Sequence, residues 1–272
     1  MPELPEVEIA RRNLASWFKG RRVAKAEADD TRIFRGAKQA KFSELKGRVE
    51  ALERRGKYLL LTFEGNRGLL AHLGMTGKFV KRPTGHVEPF SRARFHLDSG
   101  SVIHFADSRL FGRMEPAPAD KLHQLEAIQE LGRDPLTDGL TGEQLKEALG
   151  RTRQDLKVAL MDQGLLAGLG NIHAAEALFR AGLHPARKPA TLKPEEWERL
   201  AHAIHESIAF GLAEQEGEEP VYLEDSGSEN SFLIYGRAGG PCSKCGAKVV
   251  SFTQGGRTTH ACPKCQPKGR KR

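Results

Sequence analysis

Apolar residues recur at helical spacing directly behind the opening of the chain. In "PELPEVEIARRNLASWF", Val7, Ala10, Leu14, Trp17 and Phe18 fall on one face, and Pro5 suits a first helical turn, where its missing N–H is not needed. Glu6 and Glu8 suit the positive end of that helix. The pattern predicts an ordered helix that gives the first residues a fixed position.

From Val23 to about Pro116 the signals shorten to strand length. "KYLLLTF" and "GLLAHLGM" flank the turn "EGNRG", and "RARFHL" and "SVIHFAD" flank "DSG", so the region reads as successive hairpins of a β-sandwich. "EPAPAD" punctuates its end, and a helical pattern follows around "KLHQLEAIQELG". After a linker, Thr141 suits the N-cap of a helix carrying Leu145 and Leu149. One helix then ends near Gln163, Gly164, Gly168 and Gly170 interrupt the chain, and a second helix runs from about Ile172 to Gly182 and Pro185. "PEEWERLAHAIHESIAFGL" is a further helix, "AEQEGEEPVYLEDSGSENS" an acidic loop, and "PKGRKR" a basic tail. No internal repeat is visible.

Composition adds limits. The chain has 272 residues, 39% of them hydrophobic, which is enough for more than one packed module. Lys and Arg outnumber Asp and Glu by 43 to 35, a formal charge of +8 that favours a polyanionic partner without saying which. No apolar run approaches the roughly 20 residues of a membrane span, and no basic start leads into an apolar core, so neither a membrane partner nor a signal peptide is expected. The expected setting is the cytoplasm, at the nucleoid.

All four cysteines lie in one late stretch. Cys242 and Cys245, then Cys262 and Cys265, form two C-x2-C knuckles, the donor set and spacing of one structural Zn²⁺ in a reducing compartment. Four thiolates close the tetrahedron, so the ion shapes a hairpin and performs no chemistry. Arg257 lies near the tip of that hairpin, where a guanidinium either grips phosphate or is simply solvated. "GLGNI" offers helix-start N–H groups to an anion, with Asn171 and Lys157 nearby, or is a plain helix connection. Met75, Arg109 and Phe111, in "HLGMTG" and "DSRLFGR", are either a wedge, guanidinium and aromatic for a gap in a base stack, or ordinary core.

Once Met1 is removed, Pro2 presents a secondary amine with a pKa near about 8, against about 10.4 for lysine. Such an amine is partly neutral near pH 7 and is either a nucleophile for a sugar C1′, leaving an iminium that favours elimination of neighbouring phosphates, or simply the start of a chain that, as in many proteins, opens Met-Pro. Glu3 is placed to protonate the sugar or carry its 2′ proton.

"MPELPEVE", "GKYL", "HLGMTG", "DSRLFGR", "LMDQGLLAGLGNIHAAEALFRAGLHP", "YGRAGGPC" and "GRTTHACPKCQ" together, in this order, resemble the bacterial formamidopyrimidine-DNA glycosylases over nearly the whole chain. The resemblance implies an α+β, multidomain fold: an N-terminal β-sandwich with flanking helices (1–131), a linker (132–150), a helix-two-turn-helix domain (151–234) with a lesion-side loop (214–231), and a four-cysteine zinc finger with its tail (235–272). It implies a monomer that binds double-stranded DNA between its domains, removes oxidised purines such as 8-oxoguanine opposite cytosine, and cleaves the strand by β,δ-elimination. By the same resemblance Pro2 is the Schiff-base nucleophile and Glu3 the general acid. Lys57 works beside the lesion nucleotide, and Glu6 and Glu176 are carboxylates near the active centre. Met75, Arg109 and Phe111 fill the duplex void, with Arg109 facing the orphaned cytosine, and Lys157, Asn171 and Arg257 hold phosphates.

Four features depart from the family pattern. His173 stands in place of tyrosine, Asp134 of glutamate and Ala261 of an aromatic, and the acidic 214–231 segment replaces a threonine-rich loop. Two further readings remain: an endonuclease VIII-like glycosylase for oxidised pyrimidines, and a catalytically silent zinc-finger protein that binds nucleic acid.

Overall fold

The computed structural model describes residues 2–34, 39–215, 217, 222 and 229–268. They fall into two compact units, one made of residues 1–129 with 214–226 and the other of 130–213 with 227–272.

The first unit begins with α1 (Leu4–Phe18), then β1 (Val23–Ala28), α2 (Gln39–Phe42), β2 (Val49–Arg55), β3 (Tyr58–Phe63), β4 (Arg67–His72), β5 (Lys78–Pro83), β6 (Ser91–Leu97), β7 (Ser101–Ala106) and β8 (Arg113–Pro118). Among the described residues, eight strands make two antiparallel sheets, ordered β1-β6-β7-β5 and β2-β3-β4-β8. Both hairpins anticipated from the turn residues form, with Phe63 opposite Arg67 and Phe95 opposite Ile103. Leu59, Leu61 and Phe63 from one sheet meet Phe95, Ile103 and Phe105 from the other in a single core, the arrangement of a sandwich.

Helix α1 closes that core. Its apolar face is buried as its spacing requires, and Phe18 at its end lies edge-on to Phe63 at 6.5 Å and to Phe95 at 5.8 Å. Phe95 also meets Phe42 at 4.9 Å, so one ring links the helix, both sheets and α2. Truncating it to alanine would cost about 3–5 kcal/mol by the usual cavity penalty.

The structure differs from the sequence expectation at the end of the sandwich. "EPAP" is not a terminator: Glu115 to Pro118 complete β8, pairing with β4 from Leu70 to Arg67. β8 is an edge strand, where a proline's missing N–H costs no ladder bond. The helix anticipated around 121–132 is also broken, into a 3-10 turn at Ala119–Gln124 and one helical turn, α3 (Glu126–Gln129).

The second unit carries α4 (Gly142–Leu149), α5 (Leu156–Leu160), α6 (Asn171–Arg180), α7 (Pro194–Glu214), β9 (Val250–Gln254) and β10 (Arg257–Ala261). Thr141 caps α4 as expected, its hydroxyl accepting from the Gln144 N–H at 3.2 Å. The α5–α6 connection is braced by Gln163, which accepts from the Gly168 N–H at 2.9 Å and donates to the Met161 and Leu169 carbonyls, both at 2.8 Å. Three otherwise orphaned backbone groups of a glycine-rich double turn are thereby satisfied. Ala175 and Phe179 of α6 share a core with Ile234, Cys242, Val249 and Cys262, so the cysteine module is packed on this helix. No helix among the described residues is long and apolar enough to cross a membrane.

Candidate functional site

Pro2 is buried, and only Glu3 separates it from α1. Glu3, wholly buried, is the N-cap in a reciprocal capping box: its carboxylate receives the Glu6 N–H, and its own N–H donates to Glu6 Oε2 at 2.7 Å. The helix start thus fixes the backbone on which Pro2 sits, and Glu6 serves that geometry.

A second carboxylate of α1 reaches further. Glu8 Oε2 accepts from Arg54 Nε at 3.2 Å, and Arg54 Nη1 donates to the Gly56 carbonyl at 2.9 Å, in the turn that carries Lys57. Burial works against the charged form of Glu8, yet its bonds to Arg11 and Arg12 and the charge of Arg54 outweigh it and hold the pKa below the ordinary glutamate value. Lys57 itself is half-buried, one residue before β3 begins. Its charge acts on His72, where burial first, then Lys57 and Arg113, push the imidazole down to about 4. His72 is therefore neutral near pH 7, and its Nδ1 accepts from the Gly74 N–H at 3.0 Å.

Met75, Arg109 and Phe111 are borne on two touching loops. Gly74, at φ +68°, lies so close to the other loop that a Cβ would come within 2.4 Å of the Phe111 backbone, so only glycine fits. Asp107, wholly buried, ties the two loops together. Its Oδ1 accepts from the Thr76 hydroxyl at 2.6 Å and the Arg109 N–H at 3.2 Å, and its Oδ2 from the Gly112 N–H at 2.8 Å. Phe111 is 49% exposed, with the Arg109 guanidinium 4.9 Å from its ring centre. Neither Phe111 nor the half-buried Met75 is plain core.

In the second unit, Lys157 is wholly buried and its ammonium donates to Asn171 Oδ1 at 2.5 Å and to Thr259 Oγ1 at 2.7 Å. Asn171 Nδ2 donates to the Thr258 carbonyl at 3.2 Å. Arg257 is exposed beside them, after the tight Gly255–Gly256 turn in which both residues have positive φ. Lys157 of α5 and Asn171 of α6 are thus joined to each other and to the hairpin at Thr258 and Thr259, next in sequence to Arg257. Glu176 lies elsewhere in this unit: it accepts the Leu233, Ile234 and Tyr235 N–H groups at 3.1, 2.8 and 3.0 Å and fixes the segment that leads into the cysteine module.

The four cysteine Sγ atoms lie within 4.8 Å of one another, with Cys242–Cys265 at 3.9 Å and Cys245–Cys262 at 3.6 Å. A tetrahedral zinc with Zn–S bonds of about 2.3 Å has edges of about 3.8 Å, so the donor set and its spacing fit the ion. Burial, and then the neighbouring thiols, push Cys265 up to about 12, a crowding that a bound cation would relieve.

The departures are structurally accommodated. His173 Nδ1 meets Ser207 Oγ at 2.9 Å, and buried Asp134 accepts from the Leu136 and Thr137 N–H groups at 3.0 and 3.2 Å. Ala261 is buried beside Cys262. Of the acidic 214–231 segment, residues 216, 218–221 and 223–228 lie outside the described residues, as do Met1 and the end of the basic tail. Tyr222 is buried and donates to the Gly77 carbonyl at 2.8 Å, and Asn13 Nδ2 donates to the Gly217 carbonyl at 3.0 Å.

Sequence reasoning missed Arg54, His72 and Asp107. Arg54 stands beside "GKYL", His72 opens "HLGMTG" and Asp107 opens "DSRLFGR", but Glu8 and Thr76, which Arg54 and Asp107 bind, are distant in sequence, and the burial of His72 has no local signal.

The model of the formamidopyrimidine-DNA glycosylase N-terminal domain matches residues 1–114, and that of the formamidopyrimidine-DNA glycosylase H2TH domain matches residues 131–219. The chain is 37% identical to the formamidopyrimidine-DNA glycosylase of Pelotomaculum thermopropionicum, across 98% of this chain and 99% of that one. Among solved structures, the MutM (Fpg) protein of Thermus thermophilus is 36% identical with a TM-score of 0.82, covering 99% of this chain and 100% of that one. Lactococcus lactis Fpg in complex with a Fapy-dG containing DNA is 29% identical with a TM-score of 0.87, covering 98% and 100%. With two family domains in order and full-length relatives at this identity, the chain belongs to the formamidopyrimidine-DNA glycosylase family.

Proposed function

We propose that the chain is a bifunctional DNA glycosylase and AP lyase that removes oxidised purines, 8-oxoguanine and formamidopyrimidines, from double-stranded DNA through the amine of Pro2. The observation that carries this reading is the fixed start of α1, with Pro2 buried and Glu3 locked in a capping box with Glu6. A nucleophile at a chain end needs such a support, because loose placement forfeits the rate gained from orientation.

After loss of Met1, the Pro2 nitrogen attacks C1′ of the damaged nucleotide. The C1′–N bond breaks, the base leaves, and Glu3 supplies a proton to the sugar oxygen as the ring opens. The resulting iminium withdraws electrons, so loss of the C2′ proton expels the 3′ phosphate. A second elimination expels the 5′ phosphate, and water then frees the proline. Lys57 provides the positive charge beside the departing phosphate. The neutral His72 next to it adds a hydrogen-bonding edge without further charge.

Met75, Arg109 and Phe111 fill the space left by the extruded nucleotide, and Lys157, Asn171 and Arg257 hold the backbone. Cys242, Cys245, Cys262 and Cys265 hold one Zn²⁺, which when bound supplies only the cross-link that fixes the Arg257 hairpin. The protein acts as a monomer, in the cytoplasm at the nucleoid.

A panel of duplexes, each with one defined damaged base, tests the substrate class. Faster release of 8-oxoguanine and formamidopyrimidine opposite cytosine than of any oxidised pyrimidine is expected, and the reverse order would overturn it.

A further inference from the structure

Arg32 lies between β1 and α2, exposed and outside every group of residues described above. Its Nη2 donates to the Arg109 carbonyl at 2.7 Å and its Nε to the Leu110 carbonyl at 3.0 Å. Its guanidinium carbon also stands 5.4 Å from the Phe111 ring centre, so that ring has two guanidinium neighbours, Arg32 and Arg109. The planar fork of arginine suits two successive carbonyls in a way a lysine ammonium does not.

The conformation these bonds support is unfavourable by itself. Leu110 has φ +56°, in the left-handed region that a branched side chain avoids. Asp107 grips the N–H groups of Arg109 and Gly112, while Arg32 grips the carbonyls of Arg109 and Leu110. The loop is thus held at both polarities, and the side chains of Arg109 and Phe111 leave it from fixed backbone positions. A loop ordered before binding does not lose that conformational freedom when it meets DNA.

We infer that Arg32 is a positioning residue that holds the Arg109–Phe111 loop in shape and thereby sets how strictly the base opposite the lesion is read. This rests on the proposed role of the loop in filling the duplex gap, with Arg109 facing the base opposite the lesion. An arginine that merely caps a turn would affect both opposite bases alike. One that aims Arg109 would affect their ratio.

The experiment compares full-length Arg32→Ala, Arg32→Lys and Phe111→Ala in single-turnover release of 8-oxoguanine from duplexes with cytosine or adenine opposite. For Arg32→Ala, we expect an unchanged Tm and a cytosine-over-adenine ratio lowered about tenfold, the size of one lost charge-assisted hydrogen bond. Arg32→Lys does not restore the ratio. An unchanged ratio in Arg32→Ala, an equal loss opposite both bases, or full rescue by lysine would overturn the inference while leaving the loop's role intact. Equal rates opposite both bases in the unaltered protein, or Phe111→Ala without effect, would instead overturn the gap-filling role itself.

Discussion

Arg54 and Glu8 form a buried ion pair at 3.2 Å, their side chains only 1% and 9% exposed, that ties the first helix to the turn carrying Lys57. The helix that follows Pro2 and the turn of Lys57 are therefore linked by one guanidinium. Arg54→Met should lower stability by about 2–4 kcal/mol in chemical denaturation, because it leaves a buried carboxylate without that partner. Arg54→Met with Glu8→Leu should cost less than the two single changes added together. Simple additivity in that cycle would show that the pair is not coupled.

His72 gives a pH-dependent prediction. Its folded pKa of about 4 lies below the ordinary histidine value near about 6.5. Protonation therefore favours the unfolded chain, so the stability this residue contributes is complete above about pH 6.5 and is lost as pH falls toward 4. NMR titration should find the ring half-protonated near pH 4, and a midpoint above pH 6 would contradict the assigned surroundings.

Cys262→Ser should lose the metal and most DNA affinity while the first unit stays folded, since all four thiols belong to a module packed on α6. Metal analysis of the unaltered protein, purified without chelator, should find about one zinc per chain. Its absence would remove the structural ion from the account.

Arg257→Ala should weaken binding to all duplexes alike and reduce the slope of log K against log salt by about 1, as expected for one lost phosphate contact. Sequence-dependent weakening would mean that the hairpin touches bases.

Legibility followed the range of the interactions. Turns and short-range patterns were readable: "EGNRG" marked the β3–β4 hairpin, and Thr141 marked the start of α4. β8 was not, because its prolines are tolerated only on an edge, and edge position depends on the whole sheet. At the site, the motifs identified the residues expected to act but not those that hold them in place. Glu8 looked like a helix-start charge until Arg54, 46 residues away, made it a buried partner. Arg32 had no signal, since the carbonyls it holds lie 77 and 78 residues on. Glu176 was expected, from the resemblance alone, as a carboxylate near the active centre, and its three backbone partners depend on how residues 233–235 return to α6.

The Pro2 amine, held at the head of α1, is the group proposed to form the covalent intermediate. Borohydride reduction during reaction with a duplex containing 8-oxoguanine should join protein to DNA irreversibly, and peptide mapping by mass spectrometry should place the adduct on Pro2. A variant with one residue added before Pro2 should form no adduct while still binding the duplex. An adduct on Lys57 or another lysine, with Pro2 unmodified, would contradict the account.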